Sequence, residues 1–332
     1  MPDISVVIPV RNEAPALAEL YRELTDTLGA WNRSYELIVI DDGSTDESFE
    51  ILSRLQASDP RLRVIRFRRN FGQTAAFAAG FDHARGRVIV TSDGDLQNDP
   101  RDIPALVEEL DSGYDIVCGW RKDRKDAFLS RRLPSMIANR LISIATGVRL
   151  HDYGCSLKVF RAEVVKPLKL YGEMHRFLPA IASEQGVAIA EVVVRHRPRQ
   201  HGHSKYGIGR TIRVIFDLMT VKFLLSYATR PLQIFGPIGL GIALIGSIMG
   251  AWLVFQRLIG VATAGWLALL FLSILLIVTG GQLVTLGLLA ELQARTYHES
   301  QNKATYVIRE VLQTPSDSDR SRSPINRAIA GL

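Results

Sequence analysis

Val88-Ile89-Val90-Thr91-Ser92-Asp93-Gly94-Asp95-Leu96-Gln97 is the stretch on which the fold of this chain turns. Its opening β-branched run has the composition of a buried strand, and it ends abruptly in two carboxylates and an amide. In an open α/β sheet, ligands bind just beyond the carboxyl ends of the strands. Carboxylates separated by one residue point in similar directions on extended backbone. They repel each other unless a cation lies between them, and hard divalent cations prefer oxygen ligands. Gln97 can add a neutral oxygen. Ser-Asp-Gly-Asp is also ordinary turn composition, so this motif alone leaves a metal site and a plain turn both open.

Outward from that strand the same pattern recurs. Ile4 to Val10 reads as a first buried strand, with Arg11-Asn12-Glu13 at its carboxyl end. Ala14 to Leu28 has helical apolar spacing through Leu17, Leu20, Leu24 and Leu28. Tyr35 to Ile40 is a second strand, running into Asp41-Asp42-Gly43-Ser44-Thr45-Asp46, with Ser44 or Thr45 the expected cap of the next helix. Arg63 to Phe67 is a third strand, Asn70 to Ala84 an alanine-rich helix, Ile103 to Ser112 another helix, and Asp115 to Gly119 and Val187 to Val194 further strands. Alternation at this spacing predicts an α/β fold with a mostly parallel, doubly wound sheet. Glu13, Asp41, Asp42, Asp93 and Asp95 then gather on one edge of it. Folding does not require such a gathering, which favours a site.

The C-terminal third has another character. No charged residue occurs from Pro231 to Gln256, nor from Leu258 to Ala290. A spanning helix needs about 20 apolar residues, so two transmembrane helices are expected, joined by a short link around Arg257 to Gly265. Both ends of the pair therefore lie on one side. Lys205, Arg210, Arg213, Lys222 and Arg230 precede the spans and Arg295, Lys303 and Arg309 follow them, which favours the cytoplasm for both flanks. The two cysteines, Cys118 and Cys155, agree with a reducing compartment and lack the paired spacing of a zinc site. Ile208 to Tyr227 reads as an amphipathic helix at the interface, Lys303 to Leu312 as a short ordered segment, and the Ser/Asp/Arg/Pro-rich end as disordered.

Basic residues crowd positions 121 to 132, where Arg121, Lys122, Arg124, Lys125, Arg131 and Arg132 are offset by Asp123 and Asp126 alone. A patch meeting anionic lipid and a phosphate site are both compatible with them. Gly202-His203-Ser204-Lys205-Tyr206 offers backbone N–H groups, a hydroxyl and a lysine, which suit a phosphate equally.

Taken in order, Val7-Ile8-Pro9-Val10-Arg11-Asn12-Glu13, Ile40-Asp41-Asp42-Gly43-Ser44-Thr45-Asp46, Arg69-Asn70-Phe71-Gly72-Gln73, Asp93-Gly94-Asp95-Leu96-Gln97-Asn98-Asp99-Pro100 and Arg199 to Tyr206 form a specific set. With it the chain resembles the family-2 glycosyltransferases of GT-A (Rossmann-like) fold, in particular the polyprenyl-phosphate glycosyltransferases: the dolichyl-phosphate mannose synthases and their bacterial glucosyl and aminoarabinosyl relatives. The resemblance implies that Pro9, Arg11, Glu13, Asp41 and Asp42, with Asp93, hold the nucleotide. It implies that Asp93, Asp95 and Gln97 hold Mg²⁺ or Mn²⁺ against a diphosphate. Arg121, Arg131 and Ser135 match acceptor-phosphate positions, and Arg199, Ser204 and Lys205 fall in the segment that closes over phosphates. Asp95 and Asp152 are the expected catalytic carboxylates, Asp152 orienting sugar or acceptor. Two departures stand out: Gly94 replaces the usual alanine, and Asn98-Asp99-Pro100 replaces the commoner Asp-Pro-Pro.

The expected function is inverting, metal-dependent transfer of a hexose from a UDP- or GDP-sugar to polyprenyl (undecaprenyl) phosphate at a bacterial plasma membrane. The catalytic domain and C-terminus are expected in the cytoplasm. Residues 1–207 would form the transferase domain, 208–230 the interfacial helix, 231–290 the hairpin and 291–332 a tail, disordered from about 314. No nucleic-acid partner is expected, and homo-oligomers are left open. The alternative is a processive polysaccharide synthase, whose Gln-x-x-Arg-Trp segment and additional spans this sequence lacks.

Overall fold

The computed structural model describes residues 1–122, 139–140, 142–143, 146–170, 174–183, 185–198, 232–260, 265–300 and 305–314. It divides into two compact units, Met1–Leu218 with Ala304–Leu332, and Met219–Lys303.

In the first unit, β1 (Ile4–Val10) leads into α1 (Ala14–Gly29), β2 (Tyr35–Asp41) into α2 (Ser48–Ser58), and β3 (Leu62–Phe67) into α3 (Gln73–His83). Then come β4 (Val88–Thr91), α4 (Ile103–Asp111), β5 (Ile116–Trp120), β6 (Lys158–Arg161), α5 (Ala162–Val165), α6 (Leu178–Ser183) and β7 (Ile189–Val193); β8 (Ile308–Leu312) closes the set. The strand order is β7-β5-β6-β4-β1-β2-β3-β8. β1 pairs in parallel with β2 and β4, β2 with β3, and β5 with β7, whereas β6 and β8 run the other way. The sheet is thus mixed but mostly parallel, as its alternating sequence predicts.

β1 and β4 are apolar but for Ser5 and Thr91, as strands buried on both faces are. Ile4, Val6, Val7, Val88, Ile89 and Val90 are fully buried. α1 contributes Leu17, Leu20, Leu24 and Leu28 from one stripe, and α3 lies so close to β1 that a side chain at Gly80 would collide with Val7. Burying such a leucine stabilises by about 1.5–3 kcal/mol. Both cysteines are free and buried, and burial pushes their thiols up to about 12 at Cys118 and about 11 at Cys155.

Several boundaries differ from the sequence reading. Neither Ser44 nor Thr45 caps α2, which begins at Ser48, because both are engaged with Asn12 in the preceding loop. α3 starts at Gln73 rather than Asn70, since Asn70 to Gly72 close around a carboxylate. β6 falls where the sequence shows a polar segment, and its Lys158 is buried, donating to the carbonyls of Tyr153 and Cys155. The short ordered segment expected at Lys303 to Leu312 is present. Its β8 pairs antiparallel with β3, Tyr306 stacks on Phe67 at 5.3 Å, and the Tyr306 hydroxyl donates to Asp82 at 2.7 Å.

The second unit is a hairpin of α7 (Leu232–Leu258) and α8 (Trp266–Ser300). Phe235–Leu258 and Trp266–Ala290 are long and apolar enough to cross a membrane. Gly239 and Gly246 let the helices touch, since a Cβ there would stand 2.6 Å from the Gly280 carbonyl and 2.8 Å from the Ser273 carbonyl. Small residues at such contacts are how helices pack where lipid replaces water. Leu240, Phe271 and Leu275 remain at least 60% exposed, an apolar surface of the kind that meets a membrane or a protein partner. The expected interfacial helix over 208–230 and the end beyond 314 lie outside the described residues.

Candidate active site

Three loops at the carboxyl ends of β1, β2 and β3 are tied to one another before any ligand is considered. Asn12, directly after β1, has a φ of 55°, a left-handed backbone that asparagine tolerates better than most residues. From there its N–H donates to Ser44 Oγ at 3.0 Å, and its Oδ1 accepts from the Thr45 N–H at 2.8 Å. Glu13 N–H donates to Ser48 Oγ, and Ala14 N–H to Asp46. Arg11 is exposed beside them.

The two adjacent aspartates after β2 do different work. Asp41 is fully buried, accepts from the Ser44 N–H at 2.8 Å and faces Arg66 Nε at 3.6 Å. Asp42 organises the β3–α3 loop: Asn70 Nδ2 and the Phe71 N–H donate to it at 2.6 Å, and the Gly72 N–H at 3.0 Å. Burial raises the Asp42 pKa against those donors. Gly43, at φ 66°, is pressed so closely on this loop that a Cβ would stand 2.6 Å from the Arg69 carbonyl carbon.

The acidic loop follows β4. Asp93 accepts from Gln73 Nε2 at 2.7 Å, and Asp95 Oδ1 accepts from the Gln97 N–H at 3.2 Å. Between them and Gln97 sits Leu96, with a φ of 62° and a side chain sealed in the core. Holding a non-glycine residue there costs of order 1–3 kcal/mol, and such strain clusters at functional sites. Gly94 packs near Val10 and the Pro9 carbonyl, at 3.1 and 3.3 Å from where a Cβ would lie, so Pro9 borders the loop.

Burial, and then the charge of Asp95, push the Asp93 carboxyl above its ordinary value. Two carboxylates that disfavour each other's charge, with the Gln97 amide beside them, are a donor set suited to a hard cation. No group of three or more His, Cys, Asp or Glu side chains arranged to hold a metal occurs among the described residues. A cation here would keep coordination positions for a substrate, as Mg²⁺ commonly does.

Beyond the loop, the Asp99 departure acquires a physical account. Its carboxylate accepts from the Arg101 N–H and side chain and from Arg197 Nη2 at 3.0 Å. Burial works to raise its pKa, but these donors hold it well below the usual carboxylate range. Arg197 also donates its N–H to the Gln97 carbonyl at 3.0 Å and forks onto Glu23. The segment that follows β7 is thereby docked on the exit of the acidic loop.

Arg121 and Asp152, expected in separate roles, are brought together. Arg121 Nε and Nη2 donate to the two Asp152 oxygens at 2.7 and 3.0 Å, both side chains largely buried. Burial opposes the arginine's charge, but the fork overrides it and raises the Arg121 pKa. Asp152 is positioned further by Glu191, which accepts its N–H. The His151 ring lies on Trp120 at 4.2 Å. Ser156 joins this segment to the acidic loop: Thr91 Oγ1 donates to its carbonyl and Asn98 Nδ2 to its hydroxyl. Arg131, Ser135, Arg199, Ser204 and Lys205 lie outside the described residues. Sequence reasoning assigned no role to Gln73 or Ser156. Gln73 closes a motif that was already visible, whereas Ser156 carries no signal apart from its neighbours.

Against known proteins, residues 5–168 match the family model described as glycosyl transferase family 2. Over 322 residues the chain is 43% identical to the dodecaprenyl-phosphate galacturonate synthase of Rhizobium johnstonii, covering 95% of each chain. It is 38% identical to the undecaprenyl-phosphate 4-deoxy-4-formamido-L-arabinose transferase of Edwardsiella ictaluri, over 93% of this chain and 94% of that one. Among solved structures, glucosyl-3-phosphoglycerate synthase of Mycobacterium tuberculosis, in complex with Mn²⁺ and UDP-glucose, matches with a TM-score of 0.53. That match has 21% identity and covers 67% of this chain and 79% of the other, a likeness of fold.

Proposed function

This chain belongs to glycosyl transferase family 2 and is a polyprenyl-phosphate glycosyltransferase by kinship, and on that premise we propose that it transfers a sugar from a nucleoside-diphosphate sugar to a polyprenyl phosphate. The observation that carries this reading is the convergence, beside the strained acidic loop, of three strand-end loops tied together through Asn12, Asp42 and Gln73.

In this reading Pro9, Arg11, Glu13 and Asp42 line the nucleotide end, with Asp41 acting from beneath to hold the turn. Asp93, Asp95 and Gln97 hold a divalent cation, Mg²⁺ or Mn²⁺, which when bound supplies charge neutralisation for the departing diphosphate. The acceptor is a phosphate monoester, anionic at neutral pH, so no strong general base is needed. An acceptor oxygen attacks the anomeric carbon as the bond to the diphosphate oxygen breaks, and the configuration inverts. The chain's contribution is positioning and preorganised charge. Asp152 keeps the Arg121 guanidinium ionised and aimed, with further donors left for a phosphate. Arg131, Ser135, Arg199, Ser204 and Lys205 are assigned to the same anions by motif.

The hairpin suits a lipid acceptor, and the relatives match along nearly the whole chain, hairpin included. The pairing of β8 with β3 supports an even number of crossings, because the chain re-enters its first unit after the hairpin. We assign the sheet-bearing unit to the cytoplasmic side of a bacterial plasma membrane.

The test uses membranes carrying the full chain, undecaprenyl phosphate and a panel of radiolabelled nucleotide sugars. Label should enter the lipid phase with one donor, stop with EDTA and return with Mg²⁺ or Mn²⁺. Lipid labelling that persists in excess chelator would remove the metal from the mechanism, and label appearing only in water-soluble products would remove the lipid acceptor.

A further inference from the structure

The consecutive residues Asn70 to Gln73 touch two carboxylates that stand beyond different strands, Asp42 after β2 and Asp93 after β4. Asn70 Nδ2 and the N–H groups of Phe71 and Gly72 all end on Asp42, and the next residue sends its Nε2 to Asp93 Oδ1 at 2.7 Å. Gly72 permits the change of direction between them. Its φ of 94° is a backbone that a residue with a Cβ rarely adopts. The Gly72 carbonyl then accepts the Ala76 N–H at 3.1 Å, and α3 has begun.

The helix does not need Gln73 to hold it in place. Thr74 Oγ1 lies 2.7 Å from His175 Nδ1, Phe77 packs beside the same ring at 6.2 Å, and Gly80 closes on Val7. Ala75, Ala76 and Phe77 are buried. With its main chain fixed by these neighbours, the half-buried Gln73 side chain acts on Asp93 and not on the helix. An ionised carboxylate offers about four lone-pair sites, so one amide bond leaves others open to a cation. A neutral donor also orients the carboxylate without cancelling its charge, where a lysine or arginine would oppose a cation. Donors of this kind behind a ligating carboxylate are worth about 10–100-fold in metal affinity. The amide reaches Asp93 from a turn that Asp42 holds with three bonds, so its aim depends on that grip.

We propose that Gln73 is a positioning residue for cation binding at Asp93, and that it makes this binding depend on the grip of Asp42 on Asn70, Phe71 and Gly72. The inference rests on the proposed reading in which Asp42 lies at the nucleotide end of the site and Asp93 at the metal end. It makes the two ends one unit before a substrate bridges them.

The test titrates Mn²⁺ into the full chain in detergent without nucleotide, so that no diphosphate links metal to protein, and follows free Mn²⁺ by electron paramagnetic resonance. The parent should bind saturably. Gln73→Met, which keeps the length and loses the donor, should bind about ten-fold more weakly and melt at the parent's temperature. Gln73→Asn, which keeps the amide but falls short of Asp93, should match it. In the membrane assay both should raise the Mn²⁺ concentration for half-maximal transfer while kcat at saturating Mn²⁺ and KM for the lipid stay as in the parent, a split that a loosened fold does not give. Asn70→Ala should weaken Mn²⁺ binding when Gln73 is present and add nothing to Gln73→Met, since the grip acts through that amide. Absence of saturable binding by the parent would remove the metal reading itself. If the parent binds but Gln73→Met and Gln73→Asn bind as tightly, or Asn70→Ala weakens both backgrounds alike, the metal reading stands and this inference is overturned.

Discussion

At the carboxyl ends of β1, β2 and β4 stand Glu13, Asp41, Asp42, Asp93 and Asp95, while around the amino ends of the same sheet stand Arg33, Arg61, Arg63 and Arg85. The arginine edge is mostly matched pairs: Arg63 with Glu36, Arg61 with Asp59, Arg33 with Asp3 and Asp111. Such contacts staple loops together. At the acidic edge, N–H groups hold Asp41 and Asp42, while Asp93 and Asp95 disfavour each other's charge. Asn12 and Leu96, the two non-glycine residues of positive φ among those described, both lie on the acidic edge. One edge is mostly matched charge and serves the fold; the other holds left-handed backbone and like charge that a bound cation would offset.

Substituting one carboxylate on each edge should separate the two most sharply. Asp95→Asn should lower transfer about 10³-fold, near 4 kcal/mol of barrier, and leave the denaturation midpoint unchanged or slightly raised, since a like charge is gone. Glu36→Gln should do the reverse. It strands the buried Arg63 charge and should cost about 3 kcal/mol of stability, while the folded fraction transfers normally. Transfer rates and urea midpoints of both variants decide this; a stability loss in Asp95→Asn would erase the contrast.

Gly43→Ala is the next largest effect. The methyl group meets the Arg69 main chain at 2.6 Å on a left-handed backbone, so about 2 kcal/mol of destabilisation is expected. The displaced loop carries the groups that hold Asp42, so KM for the nucleotide sugar should rise as well. An unchanged KM would show that the loop relaxes independently of the site.

The smallest effect is one of pH. His175 bonds Thr74 at 2.7 Å, beside the glutamine that holds Asp93. Burial, then the charges of Arg176 and Lys158, keep its imidazole at about 3. The unfolded chain takes up that proton near pH 6.5. This contribution to stability is therefore complete above pH 6.5 and lost as pH falls towards 3, by up to about 1.4 kcal/mol per pH unit. Urea midpoints between pH 7 and 5 should fall less steeply in His175→Gln; identical slopes would mean that the histidine binds its proton equally in the folded and unfolded chains.

The sequence by itself determined the elements whose cause is local. β1 to β5 begin and end within a residue or two of their apolar runs, and α1 follows its Leu17 to Leu28 stripe. The two long apolar helices show as uncharged stretches, because their composition acts on consecutive residues. The ordered set of acidic and glycine motifs was legible for the same reason. Only the tertiary structure decided β6, four residues slotted antiparallel between β4 and β5, and β8, which returns from beyond the hairpin to β3. It alone joined Arg121 to Asp152 across 31 positions and Asp99 to Arg197 across 98, and made Asp41 and Asp42 hold loops. A side chain's partner is chosen by which strands lie side by side and where their ends converge, and spacing along the chain carries no record of that.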